Sequence, residues 1–311
     1  DDYISGGAGN DVIYGEDGAD TIYGDIGTDQ IWAGSENDYV YGGSGADVIY
    51  GEDGNDMIKA GGDDDFVEGG TGNDTIYGES GSDKIYGNDG NDTIYGGLGG
   101  DVIDGNDGDD VLFGGQGNDI LIDGAGSDVL DGGEGSDIII LTKEHEESES
   151  IDVIKNFNAT DDKIILKVDY KNPISFANIL ANLSQNSANA EISLDNGQKV
   201  IIENVNVSDI TSSNFQIGLS GGENNDILFG TEGEDIIFGE EGDDEIYGGE
   251  GNDELWGGRG SDELYGEGGD DVLRYEADGK YVDDLILTNV GFSESSLVDI
   301  FSSNFFGISG D

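Results

Sequence analysis

From Gly6 onward an aspartate recurs at every ninth residue for fifteen consecutive periods, with no insertion. Two residues after each aspartate stands Ile, Val or Leu, again in all fifteen, from Ile13 to Ile139. Glycine dominates the first and fourth places of the nine, as in "GGAGNDVIY". A second run starts at Gly221 and holds for six more periods. A strict nine-residue repeat leaves few foldings open, because each unit must bury its one aliphatic residue against a copy of itself.

The last three places, such as Val12-Ile13-Tyr14, read as a short strand whose middle side chain points inward. The glycines are expected to turn the backbone through positive φ at the first and fourth places. Turn plus strand makes half a coil, so eighteen residues complete one circuit. Along one edge this stacks Asp11, Asp29, Asp47, Asp65, Asp83, Asp101, Asp119 and Asp137. Along the other it stacks Asp20, Asp38, Asp56, Asp74, Asp92, Asp110 and Asp128, extended backwards by Asp2. The second run supplies Asp226, Asp235, Asp244, Asp253, Asp262 and Asp271.

Strands stacked about 4.8 Å apart bring these carboxylates close, and bare carboxylates repel. A hard cation between successive coils, held by two carboxylates and turn carbonyls, removes the conflict, and Ca2+ accepts six to eight such oxygens. Eight and seven aspartates per edge leave thirteen intervals in the first run, and three per edge leave four in the second. About seventeen calcium ions are therefore expected.

Composition sharpens this. The 311 residues carry 57 glycines, one proline, no cysteine and a formal charge of −60. Such acidity repels nucleic acid and anionic membrane, and no membrane insertion by this region is expected. Without cysteine there are no disulfides or thiolate sites, which leaves metal as the staple. In residues 1–140, 34 acidic residues face only Lys59 and Lys84, a net −32. One small aliphatic per nine residues does not offset the conformational entropy of ordering them, so the metal-free chain is expected to be disordered. The opening "DDYIS" lacks the form of a signal peptide, so no cleaved N-terminal signal is expected.

The nonapeptide resembles that of the repeats-in-toxin (RTX) family of type I-secreted bacterial proteins, a pattern long assigned to calcium-binding β-helices. The match spans residues 6–140 and 221–274, and "IDVIKNFNATDDKIILKV" is similar to the strand pair that follows the repeats in serralysin-type domains. The resemblance implies an all-β parallel β-roll, calcium-driven folding after export through type I secretion machinery, an extracellular location, and a carrier role for a toxin, adhesin or enzyme passenger elsewhere in a longer chain. Some residues depart from the pattern. Glu36, Asp63 and Asn224 replace the fourth-place glycine, which sets the turns at Asp38, Asp65 and Asp226 apart. Ala33, Ala60 and Asp123 replace the first.

Four segments follow: a roll over 1–140, a capping segment over 141–220, a second roll over 221–274 and a second cap over 275–311. In the first cap, twelve acidic residues against six lysines bring the charge to −6. Phe176, Ile179, Leu180 and Leu183 recur at helical spacing after Pro173, predicting one short helix. "EISLDNGQKVIIENV" reads as a hairpin turning at Asn196-Gly197.

Catalytic chemistry finds little support. Gly218-Leu219-Ser220-Gly221-Gly222 fits G-x-S-x-G, but the one histidine, His145, sits in the acidic stretch "KEHEESES". One histidine without cysteine makes no zinc quartet. No catalytic residue is assigned, and a non-enzymatic module is expected. The ninth place carries aromatics, Tyr14, Tyr23, Trp32, Tyr41, Tyr50, Tyr77, Tyr86 and Tyr95, continued by Trp256 and Tyr265. Facing opposite to the buried eighth place, they are expected to stack on the outer sheet faces. The rival reading is a calcium-rigidified adhesion module that binds carbohydrate or protein through these rings.

Overall fold

The computed structural model describes residues 1–142, 149–169, 179, 181–194, 196–211, 213–222, 224–231, 233–276 and 298–301. The chain divides into two compact units, Asp1–Leu166 with Phe176–Gln216, and Lys167–Ser175 with Ile217–Asp311.

In the first unit, alternate half-coils feed alternate sheets. Tyr3–Ala8, Thr21–Ile26, Tyr39–Ser44, Met57–Gly62, Thr75–Ser80, Thr93–Leu98, Val111–Gln116 and Val129–Glu134 form one parallel sheet. Val12–Tyr14, Gln30–Ser35, Val48–Asp53, Phe66–Thr71, Lys84–Asp89, Val102–Asp107, Ile120–Ile122 and Ile138–Thr142 form the other. Partners stand eighteen residues apart, Ile22 beside Val40, Val40 beside Ile58 and Ile58 beside Ile76. One coil is therefore two nonapeptides, and the fold is a parallel β-roll. The eighth-place residues from Ile22 to Leu130 are all 0% exposed and fill the space between the sheets.

Two details differ from the sequence reading. Most strands run six residues instead of three, because pairing continues through the next repeat's opening: Gly7 pairs with Asp25 and Ala8 with Ile26. Positive φ falls on the second and fourth places, not the first and fourth. Gly27, at a fourth place, has φ 143°, and even Glu36 and Asp63 at such places adopt 80° and 76°. First-place glycine answers a different need. A Cβ on Gly24 would stand 2.5 Å from the Gly42 carbonyl oxygen and 2.6 Å from Asp29 Oδ2. At Gly24 the turn has no room for a side chain, whereas Ala33, Ala60 and Asp123 are accommodated, buried, at their own first places.

Most of the expected aromatics stack on the outer faces, but Tyr86 and Trp256 are buried and meet Phe66 and Phe238 at a tilt. Tyr23 and Tyr41 lie 4.7 Å apart at 4°, and Tyr77, Tyr95 and Phe113 follow at 4.9 and 4.8 Å. These separations match the spacing of neighbouring strands, so in-register pairing itself sets the stacks. Tyr14 is 59% exposed, whereas Tyr86 is buried, with Lys84 Nζ 5.2 Å from its ring centre.

The segment after the last repeat continues the first sheet. Ile151–Lys155 pairs parallel with Val129–Glu134, placing Ile154 beside Leu130. Lys199–Ile202 follows it in parallel and is joined antiparallel by Asn189–Ser193 and then Leu183–Asn186. The hairpin turns at Asn196-Gly197 as read, with the Leu194 N–H donating to the Gln198 carbonyl at 2.9 Å and Gly197 at φ 102°. Of the expected helix, Phe176 and Leu180 fall outside the described residues. Ile179, Ala181 and Asn182 are helical, but Leu183 begins a strand, where its backbone pairs with Ile192.

The second unit repeats the plan. Ile236–Glu241, Glu254–Arg259 and Val272–Glu276 form one parallel set, and Ile227–Phe229, Glu245–Glu250 and Glu263–Gly268 the other. Leu228, Ile237, Ile246, Leu255, Leu264 and Leu273 make its core. Most of the expected second cap, residues 277–297 and 302–311, lies outside the described residues.

Candidate metal centre

The sixth-place aspartates form two ladders, one along each edge of the first roll. Within a ladder each Asp Oδ1 accepts the backbone N–H of the Asp one coil earlier. Asp11 donates to Asp29, Asp29 to Asp47 and Asp47 to Asp65, each at 2.7 Å. Asp65, Asp83, Asp101 and Asp119 continue through Asp83, Asp101, Asp119 and Asp137 at 2.8–3.0 Å. On the other edge Asp20, Asp38, Asp56, Asp74, Asp92 and Asp110 donate in turn to the next, ending on Asp128, at 2.7–2.8 Å. In the second unit Asp226 donates to Asp244, Asp235 to Asp253, Asp244 to Asp262 and Asp253 to Asp271. The periodicity therefore brings together the residues it singled out. Two stand apart. Asp2 contributes its N–H to Asp20 while its own side chain is exposed, and Asp235 Oδ2 accepts from the N–H and Oγ1 of Thr231 at 2.6 and 2.9 Å.

The second carboxylate oxygen decides the chemistry. From Asp11 to Asp137, every ladder Oδ2 is buried and has no hydrogen-bond partner, as are those of Asp244 and Asp253. Such an orphaned acceptor costs about 1–3 kcal/mol, and more when charged. Where the first place is glycine the Oδ2 points to it, and at Gly24, Gly42, Gly51 and Gly78 a next-coil carbonyl oxygen converges on the same spot. A Cβ on Gly78 would meet Asp83 Oδ2 at 2.4 Å and the Gly96 oxygen at 2.6 Å. Buried anionic and carbonyl oxygens gathered in register suit a hard cation with oxygen ligands. The residues present fit calcium.

Electrostatics point the same way. Burial, opposed by the accepted backbone N–H and aided by neighbouring aspartates, pushes Asp65 and Asp128 up to about 8. Asp56, Asp74, Asp101, Asp110 and Asp119 rise to about 7 by burial above all, and Asp47, Asp83, Asp92 and Asp244 to about 6. The lysines of the block do not relieve this charge at the edges. Lys59 lies 4.0 Å from Glu79 and over the Tyr77 ring, and Lys84 lies over Tyr86.

A family model described as the RTX calcium-binding nonapeptide repeat matches residues 1–31, 32–67, 68–103, 104–139, 220–255 and 247–278. The chain belongs to this RTX repeat family. No curated protein matches it. Among solved structures it is similar to the extracellular lipase LipA from Serratia marcescens, at 19% identity over 61% of this chain and 40% of the lipase, with a TM-score of 0.30. It is also similar to the AlgE6R3 subunit of the Azotobacter vinelandii mannuronan C5-epimerase, at 22% identity over 50% of this chain and 77% of that one, with a TM-score of 0.22. The chain thus spans about two fifths of the lipase's length.

Two RTX ladder residues escape the nine-residue count. Asp152 Oδ1 accepts the Asp128 N–H at 3.3 Å, and Asp162 Oδ1 accepts that of Asp137 at 3.0 Å. The cap thus supplies the next rung on each edge. The signal was present as Asp152-Val153-Ile154 and Asp162-Lys163-Ile164, the repeat's Asp-x-aliphatic triplet without its glycines. Ser220 lies within the strand Phe215–Gly222, its Oγ donating to Glu240 Oε1 at 3.0 Å, instead of on a strand-to-helix turn. His145 lies outside the described residues.

Proposed function

We propose that this chain is a non-catalytic module of an exported bacterial protein that stays unfolded where calcium is scarce and folds when it meets extracellular calcium. The observation that carries this is the rank of buried Oδ2 atoms without partners, repeated at every rung of two ladders. Each interval within the nonapeptide runs takes one ion between coils, about seventeen in all, besides the two rungs that Asp152 and Asp162 complete. With Kd near 10⁻⁴ M and about 1 mM calcium, each site contributes about 1.4 kcal/mol, or roughly 18 over thirteen sites. At sub-micromolar calcium the contribution is negligible. A loose chain suits passage through type I secretion machinery. The rolled form then serves as the folding platform of a passenger carried elsewhere in a longer protein.

The aromatic rows serve the sheets on this reading. Their stacking at the strand spacing accounts for their place without a ligand. Far-UV circular dichroism and size-exclusion chromatography of metal-stripped protein, with and without 2 mM calcium at pH 7.5, test the proposal. A coil-like, expanded chain that becomes compact and β-rich on adding calcium is expected. Full β structure in the stripped protein refutes it.

A further inference from the structure

At the end of the first roll one carboxylate stands outside the ladder pattern. Asp123 occupies a first place, where glycine is the rule, and is 1% exposed. Its Oδ1 accepts the N–H groups of Gly124 and Thr142 at 2.6 and 2.8 Å, and its Oδ2 is buried with no hydrogen-bond partner. Asp128 Oδ1 accepts the Asp110 N–H, and its Oδ2 is likewise buried without a partner. Asp152, from the cap strand, is 0% exposed, and its Oδ2 accepts from Gln198 Nε2 at 3.1 Å. That same nitrogen donates to the Thr142 carbonyl at 2.9 Å.

One carboxylate oxygen from each of Asp123, Asp128 and Asp152 lies within 4.8 Å of the other two. Ligands on a single calcium ion, each about 2.4 Å from it, stand at most about 4.8 Å apart. Three buried anions at this separation repel strongly unless a cation joins them. Burial first, and then Asp152 and Asp128 beside it, push the Asp123 carboxyl well above the usual carboxylate range.

We propose that Asp123 turns the last rung of this edge, Asp128 to Asp152, into a three-carboxylate calcium site that binds more tightly than the other rungs and clamps the cap strand to the last coil. The inference rests on the calcium reading above. It differs in its donors: an extra anion stands where the repeats have glycine, and another comes from outside the repeats. More ligand charge in a rigid site means tighter binding, here by about tenfold or more over the other rungs. The clamp would fill first as calcium rises and so fix the cap before the ladders are complete. The cap strand it holds is the one that covers the open edge of the sheet.

Calorimetric calcium titration of the metal-stripped full chain tests this, with hydrogen exchange of residues 151–155 and 199–202 as a second readout. The wild type is expected to show one ion at least tenfold tighter than the rest. Asp123→Asn keeps an acceptor for Gly124 and Thr142, and Asp123→Gly restores the residue found at most other first places. Both are expected to lose the tight affinity class alone, the ion at that rung falling to the affinity of the others, to keep the weaker sites and the calcium-induced dichroism, and to exchange faster in those two strands at low calcium. Isotherms and exchange unchanged in both variants overturn the clamp while leaving calcium-driven folding intact. A wild type that takes up no calcium overturns both.

Discussion

Acid should partly replace calcium. In the metal-free roll the ladder carboxyls from Asp47 to Asp128 hold their protons more tightly than in an open chain, where the ordinary value is 3.8. A group raised on folding makes the folded state bind more protons than the unfolded one, so stability increases as pH falls. For a carboxyl at about 7, such as Asp74 or Asp101, going from pH 8 to pH 5 relieves about 2.6 kcal/mol of folding penalty. Ten ladder groups from Asp47 to Asp128 lie between about 6 and about 8. Solvent screening along the edges cuts their combined effect, yet a quarter of it is still about 6 kcal/mol, the scale of a domain's stability. The assay is far-UV dichroism of metal-stripped protein at pH 8, 7, 6 and 5, staying above the pI of about 4.1. β signal is expected to grow on acidification, and the increment produced by calcium is expected to shrink. Identical coil-like spectra at pH 8 and pH 5 would refute the argument that buried carboxylates oppose the fold.

Three further outcomes follow from local geometry. Gly78→Ala forces a Cβ onto Asp83 Oδ2 and the Gly96 carbonyl, whereas a Cβ on Gly62 meets only Ser80 Oγ at 3.5 Å; in calcium, the first is expected to cost about 1–3 kcal/mol in thermal or denaturant melts and the second under about 0.5. Tyr95→Ala removes stacking on both Tyr77 and Phe113, and should lower stability by about 1–3 kcal/mol with calcium stoichiometry unchanged by calorimetry. Asp162→Ala leaves the N–H groups of Asp137 and Asn158 without their acceptor. It should cost about 1–3 kcal/mol and speed hydrogen exchange at those two amides, while Asp161→Ala, one residue away and exposed, should leave the Asp137 amide unchanged.

The ladders were legible because a period of nine in the chain becomes a period of eighteen in space, and Asp11, Asp29 and Asp47 can be placed by counting alone. The outer aromatics were legible for a similar reason, since Tyr23 must face opposite to Ile22 on a pleated strand. Counting fails at the cap. Asp152 and Asp162 fall out of the nine-residue phase, and only the N–H groups of Asp128 and Asp137 that they accept show that they take the next rungs. The role of first-place glycine was hidden for another reason. Its constraint is an approach between coils, Gly24 against the Gly42 carbonyl, and no property of an isolated turn predicts that. Asp123 was visible in the sequence as an irregularity, but its meaning depends on a strand that arrives from residues 151–155.

The eighteen-residue register gives this molecule a quantised length. Adding or deleting two adjacent nonapeptides changes each edge by one rung and returns every later strand to the sheet it left. A single nonapeptide gained or lost would move all downstream strands to the opposite sheet and deliver Asp152 and Asp162 to the wrong edges. Gene-level duplication in such a chain can therefore lengthen the roll freely in pairs of units, while odd steps meet a barrier at the cap.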